Sequence, residues 1–177
     1  MPSVEEFNKL AAQAAREAVS PCCSSGRWVD SVVAGRPHAD VGALLDASDA
    51  AVAALGEQDL AEALAGHPRI GDRRVTAGSS GWSSQEQAGV ASAGGALLQA
   101  LADGNAEYER RFCHIYLACA TGRDAASLLA LLHSRLGNDR ETEWGVVATE
   151  LAKINQIRLR KLLGGGTANS SAVGSGT

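Results

Sequence analysis

The chain has 177 residues, 45% of them hydrophobic and 20% charged, which suits one folded domain with a sizeable core and leaves no room for a second. Its 16 Lys and Arg against 20 Asp and Glu give a formal net charge of -4, so nothing surplus is present to neutralise nucleic acid or an acidic membrane. No window approaches the roughly twenty apolar residues that span a bilayer, and the start of the chain has neither a basic nor an apolar leader, so a cytoplasmic protein is expected.

Helix signals recur along almost the whole length. Ser3-Val4-Glu5-Glu6 is a capping box, with Phe7, Leu10, Ala14 and Ala18 behind it at helical spacing, and this helix should end before Ser20-Pro21. A shorter apolar pattern through Trp28, Val29, Val32 and Val33 stops at Arg36-Pro37, because the residue before proline is pushed out of the α region. Asp40 can cap a helix to about Leu55, and Asp59-Leu60-Ala61-Glu62 can open a short one that halts at Gly66. Gly71 to Gly81 reads as an irregular polar loop.

Ser83-Ser84-Gln85-Glu86 then restarts helix through Val90, Ala93, Leu97, Leu98 and Leu101, with Gly94-Gly95 as a weak spot. Gly104-Asn105 separates it from a helix carrying Tyr108, Phe112 and Ile115. Asp124 caps the run Leu128, Leu129, Leu131 and Leu132, which closes at Leu136-Gly137. Asn138-Asp139-Arg140-Glu141 caps a last long helix with Trp144, Val147, Leu151, Ile154 and Leu162 on its apolar side. No strand and no repeat is evident. The expected fold is all-α, a compact single-domain bundle of about seven to nine helices over residues 1–163, with a flexible Gly/Ser-rich tail at 164–177.

The residues that could carry chemistry each have a plainer explanation. His67 titrates near working pH and Pro68 restrains its backbone, which suits an acid/base, although a His-Pro pair taken alone points to a structural histidine. Glu86 fits the third position of a capping box begun by Ser83. A helix start is also an anchor for an anionic or carbonyl-bearing ligand, so cap and binding site can coincide there. Arg158, beside Lys153, Arg160 and Lys161, reads as part of a solvated basic helix end. His38, His114 and His133 share no metal-ligand spacing and read as structural or surface residues. Cys22, Cys23, Cys113 and Cys119 match no zinc or redox pattern and read as reduced, mostly buried thiols.

An ordered series of short matches, from Val4 to Leu163, adds what spacing alone does not. It comprises Phe7-Asn8, Cys22-Cys23-Ser24-Ser25-Gly26-Arg27-Trp28-Val29, Arg36-Pro37, His67-Pro68, Ser83-x-x-Glu86-Gln87, the Tyr108 to Ala120 stretch, Arg135-Leu136-Gly-Asn, and Glu150-x-x-x-Ile154-x-x-x-Arg158-Leu159. In this the sequence resembles the decarboxylases acting on 2-oxo-4-hydroxy-4-carboxy-5-ureidoimidazoline (OHCU) in urate breakdown. Arg69-Ile70-Gly71-Asp72 stands where many members have an acidic residue and Leu-Ala-Gly, a variant similar to the bacterial type, and the tail shows no peroxisomal signal.

The resemblance implies conversion of OHCU to (S)-allantoin with loss of carbon dioxide, no cofactor, no metal and a homodimer. It implies His67 as acid/base, with Glu86 and Arg158 completing the catalytic set. Pro68, Ser83, Ser84, Gln85, Glu86 and Gln87 would form one binding wall, and Tyr116, Leu117, Ala118, Cys119 and Ala120 the other. Two other classes remain open on the residues themselves: a helical thiol enzyme using Cys113 and Cys119, and a non-catalytic helical binding module.

Overall fold

The capping box at Ser3 forms as its residue types require. In the computed structural model, which describes residues 3–71, 81–91 and 93–164, helix α1 spans Val4–Lys9, with Ser3 Oγ accepting from the Glu6 amide at 3.1 Å and the Glu6 carboxylate accepting from the Ser3 amide at 2.7 Å. The helix expected to run to Ser20 breaks at Leu10, which is extended, and α2 restarts over Ala12–Val19. The break has a tertiary cause. Arg36 donates to the carbonyls of Phe7 at 3.0 Å and Leu10 at 2.7 Å, supplying from outside the bonds that a continued helix would have made.

Helix α3 (Gly26–Ala34) is capped by Ser25, and α4 (Val41–Ala53) by Asp40, whose carboxylate accepts from the Ala43 amide at 2.8 Å. Helix α5 (Glu57–Ala65) begins earlier than expected. Asp59 is not its first cap but sits one turn in, reaching back to the Gly56 amide at 3.2 Å.

The helix expected from Ser83 to Leu101 is instead three pieces: α6 (Gly81–Glu86), α7 (Ala88–Ala91) and α8 (Gly95–Phe112). Conversely, Gly104-Asn105 separates nothing and lies inside α8. Gly104 is there for a close approach, since a Cβ on it would stand 2.9 Å from Leu132 Cδ2 of α9 (Ala125–Arg135). Asp124 caps α9, and Asp139 caps α10 (Arg140–Leu162), the longest helix of the fold.

Among the described residues there is no strand, and seven helices have eight or more residues while three are shorter. No described helix is long and apolar enough to cross a membrane. Phe7, Trp28, Leu44, Leu60, Val147, Leu151 and Leu159 centre one hydrophobic cluster, in which α10 packs on α4. Leu101, Tyr108, Phe112, Leu128 and Leu132 centre a second, where α8 packs on α9. Each buried Leu or Phe contributes about 1.5–3 kcal/mol, and the seam between the clusters is where the chemistry collects. The expected tail lies outside the described residues beyond Gly164, as does most of the expected loop, residues 72–80, with Asp72 at its start. All four cysteines are free: Cys22 and Cys23 are buried, Cys119 is half-buried and Cys113 is exposed.

Candidate active site

His67 leaves the end of α5 through a turn in which its amide donates to Leu64 O at 2.9 Å. Gly66 before it allows contact with the next layer, because a Cβ there would overlap Ser24 Oγ at 1.9 Å. The residue is half-buried, yet its Nε2 is sealed from solvent and has no hydrogen-bond partner among the described residues. Burial, with the nearby positive charge of Arg158 adding to it, pushes the imidazole from its usual 6.5 down to about 3, so the ring is neutral at working pH. A buried imidazole nitrogen with no partner calls for a ligand.

The residues after His67 are held by the second cluster. Arg69 forks onto Glu109 of α8 at 2.5 and 2.7 Å. The carbonyl of buried Ile70 accepts from Asn105 Nδ2 at 2.9 Å. Gly71, at φ 84°, donates its amide to Gln87 Oε1 at 3.1 Å, and Gln87 Nε2 donates to Arg69 O at 3.4 Å. The block from His67 to Gly71 is thus tied both to α8 and to Gln87, the residue that follows α6.

Glu86 is the last residue of α6, not the third position of a capped helix: α6 starts at Gly81, so Ser83 lies within its first turn. Glu86 and Gln87 therefore reach the pocket from the end of α6 and the residue after it, not from a helix start. The side chains of Ser83 and Ser84 lie outside the described residues. The carboxylate of Glu86 receives the Arg158 fork, Nε at 3.0 Å and Nη2 at 2.9 Å, while Arg158 Nη1 reaches Cys22 O at 3.3 Å. Arg158 is 3% exposed, so the solvated basic end expected at this position is not found there. Gly89 of α7 sets this piece against the 121–124 turn, where a Cβ would lie 2.3 Å from Arg123 O.

Residues 115–120 run without helix or strand along the other side. Arg135 Nη1 donates to Leu117 O at 2.6 Å, the Cys119 amide donates to Glu150 at 2.8 Å, and the Tyr116 hydroxyl donates to Leu128 O at 3.1 Å. Between these anchors the N–H and C=O of buried Ala118 make no hydrogen bond to another described residue.

These pieces enclose one pocket lined by His67, Pro68, Ile70, Glu86, Gln87, Tyr116, Leu117, Ala118, Ala120, Thr121 and Ile154. Its internal volume of about 20 Å³ is on the scale of one water, so a larger ligand has to part the walls. Of the expected site residues, Gln85 is exposed and outside the lining, Cys119 is also outside it with its amide held by Glu150, and Arg158 stands behind Glu86. Ile70, Thr121 and Ile154 were not expected. The spacing of Glu150, Ile154 and Arg158 was the signal for Ile154, since four-residue steps share a helix face. Among the described residues no group of three or more His, Cys, Asp or Glu could hold a metal ion.

The arrangement sets a neutral base, a carboxylate and a free peptide edge around one small cavity. The family model for OHCU decarboxylase matches residues 8–160. The uric acid degradation bifunctional protein TTL of Arabidopsis thaliana is 29% identical over 145 residues, which cover 80% of this chain and 45% of that protein; the chain thus spans less than half the length of this curated relative. A crystal structure of an OHCU decarboxylase in the presence of (S)-allantoin is similar at a TM-score of 0.71 and 27% identity, over 81% of this chain and 95% of that one. A crystal structure of (S)-allantoin synthase shares the fold at a TM-score of 0.68 and 16% identity, over 91% of this chain and 54% of that one.

Proposed function

The chain belongs to the OHCU decarboxylase family, and from that premise we propose that it converts OHCU to (S)-allantoin with release of carbon dioxide, as a cofactor-independent carboxy-lyase of urate breakdown. The carboxylated carbon of OHCU bears a hydroxyl and adjoins a ring imine. Electrons left by carbon dioxide flow into that C=N bond, so the substrate is its own electron sink and a cofactor would be redundant. The imine nitrogen takes a proton from solvent, leaving an enol, which becomes allantoin when its hydroxyl proton is lost and the ureido-bearing carbon gains one.

His67 is the group proposed to move that proton. Because the imidazole starts neutral, it accepts at Nε2 from the hydroxyl and then returns a proton to carbon from one face, which sets the S configuration. Glu86 accepts from the ureido or ring N–H groups with the lone pairs that Arg158 leaves unused. Pro68, Gln87, Tyr116, Leu117, Ala118 and Ala120 wall the flat ring, and the Ala118 peptide edge pairs with its amides. Arg158 acts on this reading by holding Glu86. An arginine clamped on the departing carboxylate would favour the ground state over the transition state, where that charge disperses.

The observation that carries the reading is the sealed, unpartnered Nε2 of His67 in the same pocket as Glu86. The test generates OHCU from urate with the two upstream enzymes and follows optical activity with and without the protein. An excess of (S)-allantoin is expected, with His67→Asn reducing it to the spontaneous racemate while the melting temperature stays near wild type. Racemic product with the wild-type protein overturns the reading, and unfolding of the variant makes His67 a structural residue. The same reading includes a cytoplasmic homodimer, which sedimentation and cell fractionation address.

A further inference from the structure

Helix α10 presents Glu150, Ile154 and Arg158 on one face at four-residue steps. Ile154 lines the pocket and Arg158 holds Glu86 on one wall. Glu150 holds the opposite wall. Its Oε2 accepts from the Cys119 amide at 2.8 Å and its Oε1 from Lys153 Nζ at 2.6 Å. Burial pushes the Glu150 carboxyl up, but the Lys153 hydrogen bond and the Cys119 amide outweigh it and hold the group below the usual carboxylate range. At neutral pH the bond to Cys119 is therefore charge-assisted, stronger and shorter than one between neutral groups.

The residues on either side of Cys119, Ala118 and Ala120, both line the pocket. On the far side of Ala118, Leu117 O is taken by Arg135. An extended segment has no internal ladder to set its own register, so these two side chains fix where the intervening peptide groups point. We propose that Glu150 is a positioning residue of the active site, which sets the pocket-lining residues Ala118 and Ala120 by holding the Cys119 amide between them and acts on turnover through them without touching substrate. The inference rests on the reading of this pocket as the reaction site.

Four variants separate this role from the plainer one of an ion pair with Lys153. Glu150→Gln keeps an acceptor for the Cys119 amide and loses the charge; Lys153→Met loses only the pair. Glu150→Leu removes the acceptor, and Glu150→Asp withdraws the carboxylate by one methylene while keeping its charge, which serves if the leucine variant does not fold. The expected result is kcat close to wild type for Gln and Met, with a fall of about ten- to a hundredfold for Leu and Asp, since displacements of about 1 Å cost on that order. Amide hydrogen exchange at Cys119 should accelerate in Leu and Asp alone. Equal behaviour of all four variants, or lost activity in Lys153→Met, overturns the proposal. If the wild-type protein leaves OHCU racemic, the reading of function fails separately, and exchange at Cys119 still decides: protection lost only in Leu and Asp upholds the anchor, and protection unchanged refutes it.

Discussion

Arg135 and Arg158 are each 3% exposed, each forks onto a glutamate, and each gives a further N–H to a backbone carbonyl, Leu117 O and Cys22 O respectively. They differ in what surrounds the glutamate. Glu143 is fully sealed and receives Arg135, the Tyr108 hydroxyl and Asn138 Nδ2 at 2.8 Å, so both its oxygens are committed. Glu86 lines a pocket and, among the described residues, accepts from Arg158 alone. One pair is closed on itself; the other keeps acceptor capacity in a pocket that His67, with its unpartnered Nε2, also lines. On the proposed reading, the same chemical unit is a structural bolt where its lone pairs are used up and a site component where they are not.

The largest effect should come from breaking the closed pair. Glu143→Leu leaves Arg135 charged and buried without a counter-charge, which costs about 3–5 kcal/mol and lowers the melting temperature by about 6–20 °C for a chain of this size. The double variant with Arg135→Met should recover much of that loss, because a well-packed apolar pair removes the desolvation penalty of both charges. Thermal unfolding followed by circular dichroism reads both. A single variant that melts like the wild type would show the network to be dispensable.

The open pair should behave in the reverse order. Glu86→Gln costs less stability, about 1–3 kcal/mol, because it keeps one acceptor for Arg158. Turnover should nevertheless fall by about a hundredfold or more, in line with losing a positioned polar group at the reacting centre. Urea unfolding alongside the optical assay measures the two. If Glu86→Gln destabilises as much as Glu143→Leu while keeping its rate, the distinction between the pairs collapses.

The difference between these pairs was only partly visible in the residue order. Caps at Ser3, Asp40, Asp124 and Asp139 were legible because each is settled within one turn of chain. The break at Leu10 was not, since it depends on Arg36, and neither was the run of α8 through Gly104, which depends on Leu132. Arg158 looked like part of a basic helix end because its chain neighbours are Lys and Arg. Its burial is set by Glu86, 72 residues away, and no local pattern holds that information. His67 and Glu86 were found through an ordered series of matches along the chain, whereas Ile70 and Thr121 enter the pocket only through tertiary packing.

Acid should expose the open side of the comparison in a smaller, graded way. The folded state holds the His67 imidazole at about 3 against an ordinary 6.5, chiefly by burial and then by Arg158. The unfolded chain therefore binds the proton first as pH falls. The associated stability is complete above about pH 6.5 and is lost towards pH 3, by at most about 1.4 kcal/mol per unit. Burial lowers His114 as well, so it adds a slope of the same sign. Urea midpoints at pH 7 and pH 5 should show a clear drop in the wild type and a shallower one in His67→Asn, with His114 and lowered carboxylates such as Glu150 contributing to the remainder. An unchanged slope would mean that the His67 ring is freely protonated in the folded protein.

The smallest expected effect is the most discriminating for the second wall, which is read through backbone and not through side chains. Cys119 lends its amide to Glu150, and burial raises its thiol, which leaves little thiolate at neutral pH. Cys113 is exposed at the left-handed end of α8, and neither cysteine is in a disulfide. Replacing both with serine preserves every main-chain group of the 116–121 wall and removes any thiol chemistry those two residues could perform. The double variant should keep its rate and its excess of (S)-allantoin. Loss of turnover without loss of folding would favour a thiol enzyme and undo the assignment of this wall to peptide groups.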